Sequence, residues 1–176
     1  MTETTTRSRP RRLALAALAV TATCTLSACQ ITSPITTDLD YDPADGLSVD
    51  TEFVEGLDLL IVSQGDGAPG VLTGYIVNSG PEPITVEFAL EVDGQRQPLQ
   101  PEVEIQPGDA ARTDGRTSND DEFTNPVTIE SVPVIAGSLV TVRMTTSAEG
   151  TVSKRIPVLP PDGVFAPYRE VISSLR

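Results

Sequence analysis

Histidine and tryptophan are absent from this 176-residue chain, lysine occurs once, at Lys154, and cysteine twice, at Cys24 and Cys29. Without histidine there is no Ser-His-Asp triad, no histidine metal ligand and no imidazole base working near neutral pH. Aromatic residues amount to 4%, so flat apolar platforms for a stacked ligand are scarce. Positive charge is scarce too: Lys and Arg number 12 against 25 Asp and Glu, for a net charge of −13. Such a chain is repelled by phosphate backbones, which excludes nucleic acid as a partner. The longest apolar run, 13–28, is interrupted by Thr and Ser and falls short of the roughly 20 apolar residues a membrane span requires. What the chain does have is 13 Gly, 15 Pro and abundant Val and Thr, a composition of strands and turns within a single domain's length.

Residues 1–28 read as an export signal. Arg7, Arg9, Arg11 and Arg12 form a basic start, and 13–26 is rich in Ala, Leu and Val. The segment ends in Leu26-Ser27-Ala28-Cys29. Small residues ahead of a cysteine admit the peptide to a peptidase whose substrate thiol already carries diacylglycerol. Cys24 is a poorer lipid site, because Thr21-Ala22-Thr23 lacks the preceding leucine. Arg11-Arg12 before Leu13 also hints at twin-arginine export. The stretch resembles the bacterial lipobox. That resemblance implies cleavage before Cys29, a diacylglyceryl group on its thiol with fatty acid such as palmitate, and residence on the outer face of the cytoplasmic membrane. Loss of four arginines and Glu3 would remove three net positive charges, taking −13 to −16. The one remaining thiol would be acylated, leaving no intradomain disulfide.

Residues 29–46 read as the lipidated cysteine and a flexible linker. It is polar, and Asp38, Asp40, Asp42 and Asp45 repel anionic head groups. From Val49 onward the period is 2. In 84–92, Ile84, Val86, Phe88, Leu90 and Val92 share one face, with Thr85, Glu87 and Glu91 on the other, as in a half-buried strand. Asp93-Gly94 then predicts a tight hairpin turn. Further strands are predicted over 57–62, 71–77, 103–105, 127–134, 139–146 and 151–159, separated by turns such as Gly65-Asp66-Gly67 and Pro107-Gly108-Asp109. The spacing predicts an all-β, immunoglobulin-like antiparallel β-sandwich over 47–160, with either 71–77 or 151–159 as an edge. The acidic stretch 113–122 is expected as an exposed loop joining the two sheets. In the tail, 161–176, Tyr168, Val171, Ile172 and Leu175 recur at helical spacing and permit a short helix.

Gly74-Tyr75-Ile76-Val77-Asn78-Ser79-Gly80, then 84–92, then Asp93-Gly94 and Pro107-Gly108, resemble bacterial immunoglobulin-like surface modules. Tyr41-Asp42-Pro43-Ala44-Asp45-Gly46 behind the linker resembles small actinobacterial cell-surface lipoproteins, a few of them distantly similar to the periplasmic copper chaperone sandwich. Eleven arginines against one lysine fit a GC-rich genome of that kind. The copper chaperone site requires clustered His and Met, and this chain lacks those ligands; Met144 is expected to pack in the core. No metal site, cofactor or catalytic residue is therefore expected.

Calcium has two candidates. Asp38, Asp40 and Asp42 begin like an EF-hand loop, but Pro43 and Val49 stand where glycine and glutamate are needed. Asn119-Asp120-Asp121-Glu122 offers oxygen donors and is read as solvated loop charge. Lys154 is expected to point to solvent. Tyr75 is expected in the core, and Phe123 and Phe165 at the ends of the sandwich. The chain is thus expected to be a non-catalytic, membrane-anchored envelope lipoprotein that binds an unknown envelope or extracellular protein. The alternatives are a copper- or calcium-handling accessory and a hydrolase using carboxylates alone.

Overall fold

The computed structural model describes residues 45–116 and 123–175. The export segment, Cys29, nearly all of the linker and Asn119 to Glu122 lie outside the described residues. The strands are β1 (Leu47–Asp50), β2 (Val54–Ser63), β3 (Gly70–Asn78), β4 (Ile84–Val92), β5 (Gln95–Pro98), β6 (Val103–Ile105), β7 (Ala110–Arg112), β8 (Thr128–Ile129), β9 (Leu139–Thr146) and β10 (Gly150–Leu159). A 3-10 turn at Gly163–Phe165 and the helix α1 (Tyr168–Ser174) follow.

The fold is all-β, a sandwich of two layers. In one layer β4 pairs with β9 and, on its other side, with β5 and β6, while β9 pairs with β10. In the other, β3 lies between β2 and the short β7 and β8, and β1 pairs with β2. The inward residues of both layers form one core, with Ile84, Val86, Phe88, Leu90, Val142 and Met144 from the first and Leu59, Ile61, Leu72 and Ile76 from the second. Each such side chain taken from water contributes about 1.5–3 kcal/mol. Met144, 2% exposed and opposite Phe88 in the β4–β9 register, is the packing residue expected. Asp93 and Gly94 both have positive φ, 50° and 77°, which matches the twist of the β4–β5 hairpin.

Several expectations need correction. The ladders are not all antiparallel: β10 runs parallel to β2 at Val158 and Leu159. β3 is no edge, since it has partners on both sides. β10 pairs with β9 along its length but with β2 only at those two residues, so among the described residues its first part is an edge. Lys154 is exposed there, a charge of the kind that discourages strand addition. The strand expected over 127–134 shrinks to Thr128–Ile129, for Val132 exchanges its backbone hydrogen bonds with Gly67 and Ala68 of a turn; Val132 is buried regardless. The polar β5 and the short β1 and β7 carry too little periodicity to be read from sequence.

A bulge in β2 sets up the outer surface. Val54 faces the core, whereas beyond the bulge it is Leu59 and Ile61 that do so, a change of parity. The register slips between Leu57 and Leu60, and Asp58 there has φ of 53°. One extra residue flips the face of all that follows. The outward residues after the bulge, Leu60 and Val62, join Val71 of β3 and are covered by Tyr168 and Ile172 of α1.

Candidate binding face and its support

The helix covers only part of this outer face. Across the uncovered part, the register aligns Leu57 of β2, Tyr75 of β3 and Arg112 of β7 in one row. The next row holds Asp50, Glu55, Val77 and Ala110. Leu57 is 37% and Tyr75 41% exposed, so Tyr75 is not the core residue expected. The run 70–78 is apolar on both faces, and the period alone does not say which face is covered.

Behind this row sits Asp114, which is fully buried. It follows Arg112 by two residues, in the turn that ends β7, and that turn brings the two side chains together. The Arg112 Nε donates to Asp114 Oδ1 at 2.8 Å and Nη2 to Oδ2 at 2.6 Å. Arg112 Nη1 donates to the Tyr75 hydroxyl at 2.8 Å, and the guanidinium lies 5.0 Å from the Tyr75 ring centroid. The Tyr168 hydroxyl of α1 donates to Asp114 Oδ2 at 2.5 Å, and the Arg116 backbone N–H to Oδ1 at 3.1 Å. A bidentate pair of this kind fixes orientation as well as adding attraction. The exposed Tyr75 is thereby held through Arg112, and the tail helix is tied to the same carboxylate.

The start of the expected exposed loop is thus interior. Thr113, 1% exposed, donates its hydroxyl to the Leu72 carbonyl at 2.9 Å and its N–H to the Gly74 carbonyl at 3.0 Å. Phe123 and Phe165 do not cap the ends of the sandwich but pack around Tyr168, with ring centroids 5.0 and 6.3 Å away. Sequence reasoning missed Arg112 and Asp114; the Arg-x-Asp spacing after a turn was the available signal.

Burial alone would push the Asp114 carboxyl up, but the hydrogen bonds from Arg112, Tyr168 and the Arg116 N–H outweigh it and hold the group below the usual carboxylate range. Burial and the bond to Asp114 raise the Tyr168 phenol. The Arg112 guanidinium is raised chiefly by its bond to Asp114. The stability due to Asp114 is therefore complete above about pH 4 and lost as pH falls through the lower folded value. That due to Tyr168 is complete below about pH 10 and lost as pH rises through the higher folded value. Urea unfolding across this range is expected to show both limbs, and Asp114→Asn to flatten the acid one. An acid limb unchanged in that variant would count against the role of Asp114.

Two hollows of about 400 Å³ each lie elsewhere. One flanks α1, with Phe123, Val171 and Leu175 in its wall; the other, on the opposite layer, is lined by Glu91, Gly94, Gln95, Arg96 and Arg143. In the second, Arg143 is committed to an ion pair with Glu91.

No family model matches the chain, and no similar curated protein was found. Similar solved structures include the apo PCuAC domain from PmoF1, at 12% identity and a TM-score of 0.45 over 65% of this chain and 100% of that one. The apo PmoF2 PCuAC domain is similar at 12% identity and a TM-score of 0.45, over 66% of this chain and 98% of that one. The copper-bound PCuAC domain from PmoF2 follows at 12%, 0.43, 65% and 99%. The likeness is distant and concerns fold alone. The donors among the described residues do not fit copper: Met144 is the one soft ligand there, and it is packed in the core. No cluster of three or more His, Cys, Asp or Glu suited to a metal ion occurs among the described residues.

Proposed function

We propose that the chain is a non-catalytic binding or accessory module of the cell envelope, exported and held to the outer face of the cytoplasmic membrane by a diacylglyceryl group on Cys29. The observation that carries the binding reading is the support beneath Tyr75: an exposed aromatic fixed by a guanidinium that is itself fixed by a buried carboxylate. A side chain ordered before a partner arrives loses less entropy on binding, and tyrosine and arginine are common anchors of protein interfaces. The anchoring reading rests on Leu26-Ser27-Ala28-Cys29 behind a basic and apolar start.

The test is Cys29→Ala in the native cell. Incorporation of labelled fatty acid is expected to disappear, and the protein to leave the membrane fraction. Retention in membranes without label would overturn the lipid anchor. Purified mature protein is expected to leave cell-wall glycans uncleaved; turnover abolished by replacing a single carboxylate would instead favour the hydrolase.

A further inference from the structure

Asp50 of β1 and Glu55 of β2 stand directly opposite each other, outward beside the Leu57–Tyr75 row. Like charges at facing positions of an antiparallel pair repel and destabilise the ladder. No cation among the described residues neutralises them: the ion pairs there are Arg112–Asp114, Arg143–Glu91 and Arg169–Asp162. Arg112, the basic residue of this face, already has its charge balanced by Asp114. The face therefore combines half-exposed apolar side chains with two unbalanced negative charges, on a chain whose net charge is −13.

We propose that this uncovered half of the sheet docks a cationic segment of another envelope protein, which sets an apolar side chain against Leu57 and Tyr75 and a lysine or arginine against Asp50 and Glu55. The inference rests on the binding reading above and adds the face and the chemistry of its partner. One strand spacing, about 4.8 Å, separates neighbours within each row, and about 7 Å the two rows along a strand. A lysine or arginine two residues from an apolar anchor in an extended segment spans that distance. An anionic membrane or an acidic protein would meet repulsion here, whereas a basic partner relieves the existing repulsion and is steered in by the field of the whole domain.

The experiment places the photoreactive residue p-benzoylphenylalanine at Leu57 in the full-length chain in its own cells. A second version carries it at Thr141, which faces outward on the opposite layer. Crosslinking is expected from position 57 and at least fivefold less from 141, with the adduct mapping to a segment of net positive charge. In washed membranes at low salt, Asp50→Asn with Glu55→Gln is expected to lower the yield from position 57 at least fivefold, and 0.5 M NaCl to do the same. The double variant folds if its melting temperature equals or exceeds the parent's, as relief of repulsion requires. An adduct on a neutral or acidic segment, or a yield indifferent to the two carboxylates, overturns the proposal. Crosslinking from Thr141 alone overturns the face and leaves the binding reading standing; no adduct from either position counts against both.

Discussion

Asp114→Ala is expected to lower the melting temperature by about 10 °C and to loosen the tail helix. The carboxylate is fully buried and accepts from Arg112 twice, from Tyr168 and from the Arg116 N–H. Removing one member of a buried pair strands the other, at a cost of about 3–5 kcal/mol. The Arg112 side chain is 25% exposed, so its head can partly rehydrate and the expected cost is at the lower end, about 3 kcal/mol. For a domain of this size each kcal/mol moves the midpoint by roughly 3–5 °C. Tyr168→Phe removes the hydrogen bond to Asp114, together with the contacts of the same hydroxyl to Thr73 and Arg116, and is expected to cost about 1.5–3 kcal/mol. Because the two share one bond, the double variant should be less damaged than the two costs together. Fully additive losses by calorimetry would show that the Tyr168–Asp114 contact contributes nothing. Hydrogen exchange in α1 should rise in both single variants, since Ile172 and Tyr168 are the buried residues of that helix.

Gly115→Ala is expected to be worse still, and Gly94→Ala mild. Both glycines have positive φ, 69° and 77°, so an alanine is strained at either position. That strain alone costs about 1–2 kcal/mol. The surroundings differ. A Cβ on Gly115 would lie 1.8 Å from the Thr124 carbonyl oxygen, whereas one on Gly94 meets nothing within 4 Å. Thr124 is held in place, for its N–H donates to the Gly115 carbonyl at 3.2 Å and the chain beyond it returns through the bond from the Val127 N–H to the Thr113 carbonyl. Backbone on both sides must move, so a loss of about 4 kcal/mol or more is expected for Gly115→Ala against about 1 kcal/mol for Gly94→Ala. Denaturant midpoints of the two variants decide it; equal losses would mean that φ alone matters and that this corner is pliable. The corner lies at the mouth of what reads in sequence as an acidic surface loop, so a large effect there separates the two pictures.

The strands that sequence reveals best are those with one buried face. Ile84 to Val92 alternates except at Ala89, and β4 has the extent expected. Val54 to Ser63 is read only in part, because the bulge at Asp58 breaks the alternation that a period-2 reading relies on. The short β1, β5 and β7 are set by their partners and not by their own periodicity. Met144 was legible as core because an apolar residue on an alternating strand has a bland explanation. Tyr75 was not, because β3 is apolar on both faces and its exposure depends on how far the tail helix reaches. Asp114 was the hardest: an aspartate beside glycine reads as turn chemistry, and its burial depends on Tyr168, 54 residues later in the chain.

The amino-acid sequence by itself determined the fold class, through period-2 patterning and turn residues, and the absence of any histidine to serve as base or metal ligand. Those are properties of composition and of near neighbours, where local geometry is enough. Tertiary structure alone decided which half of one sheet is covered, that Arg112, Asp114, Tyr75 and Tyr168 meet, and that Asp50 and Glu55 face each other with no balancing cation among the described residues. These depend on a bulge, a register and a returning helix, contacts between residues far apart in the chain that no local pattern encodes.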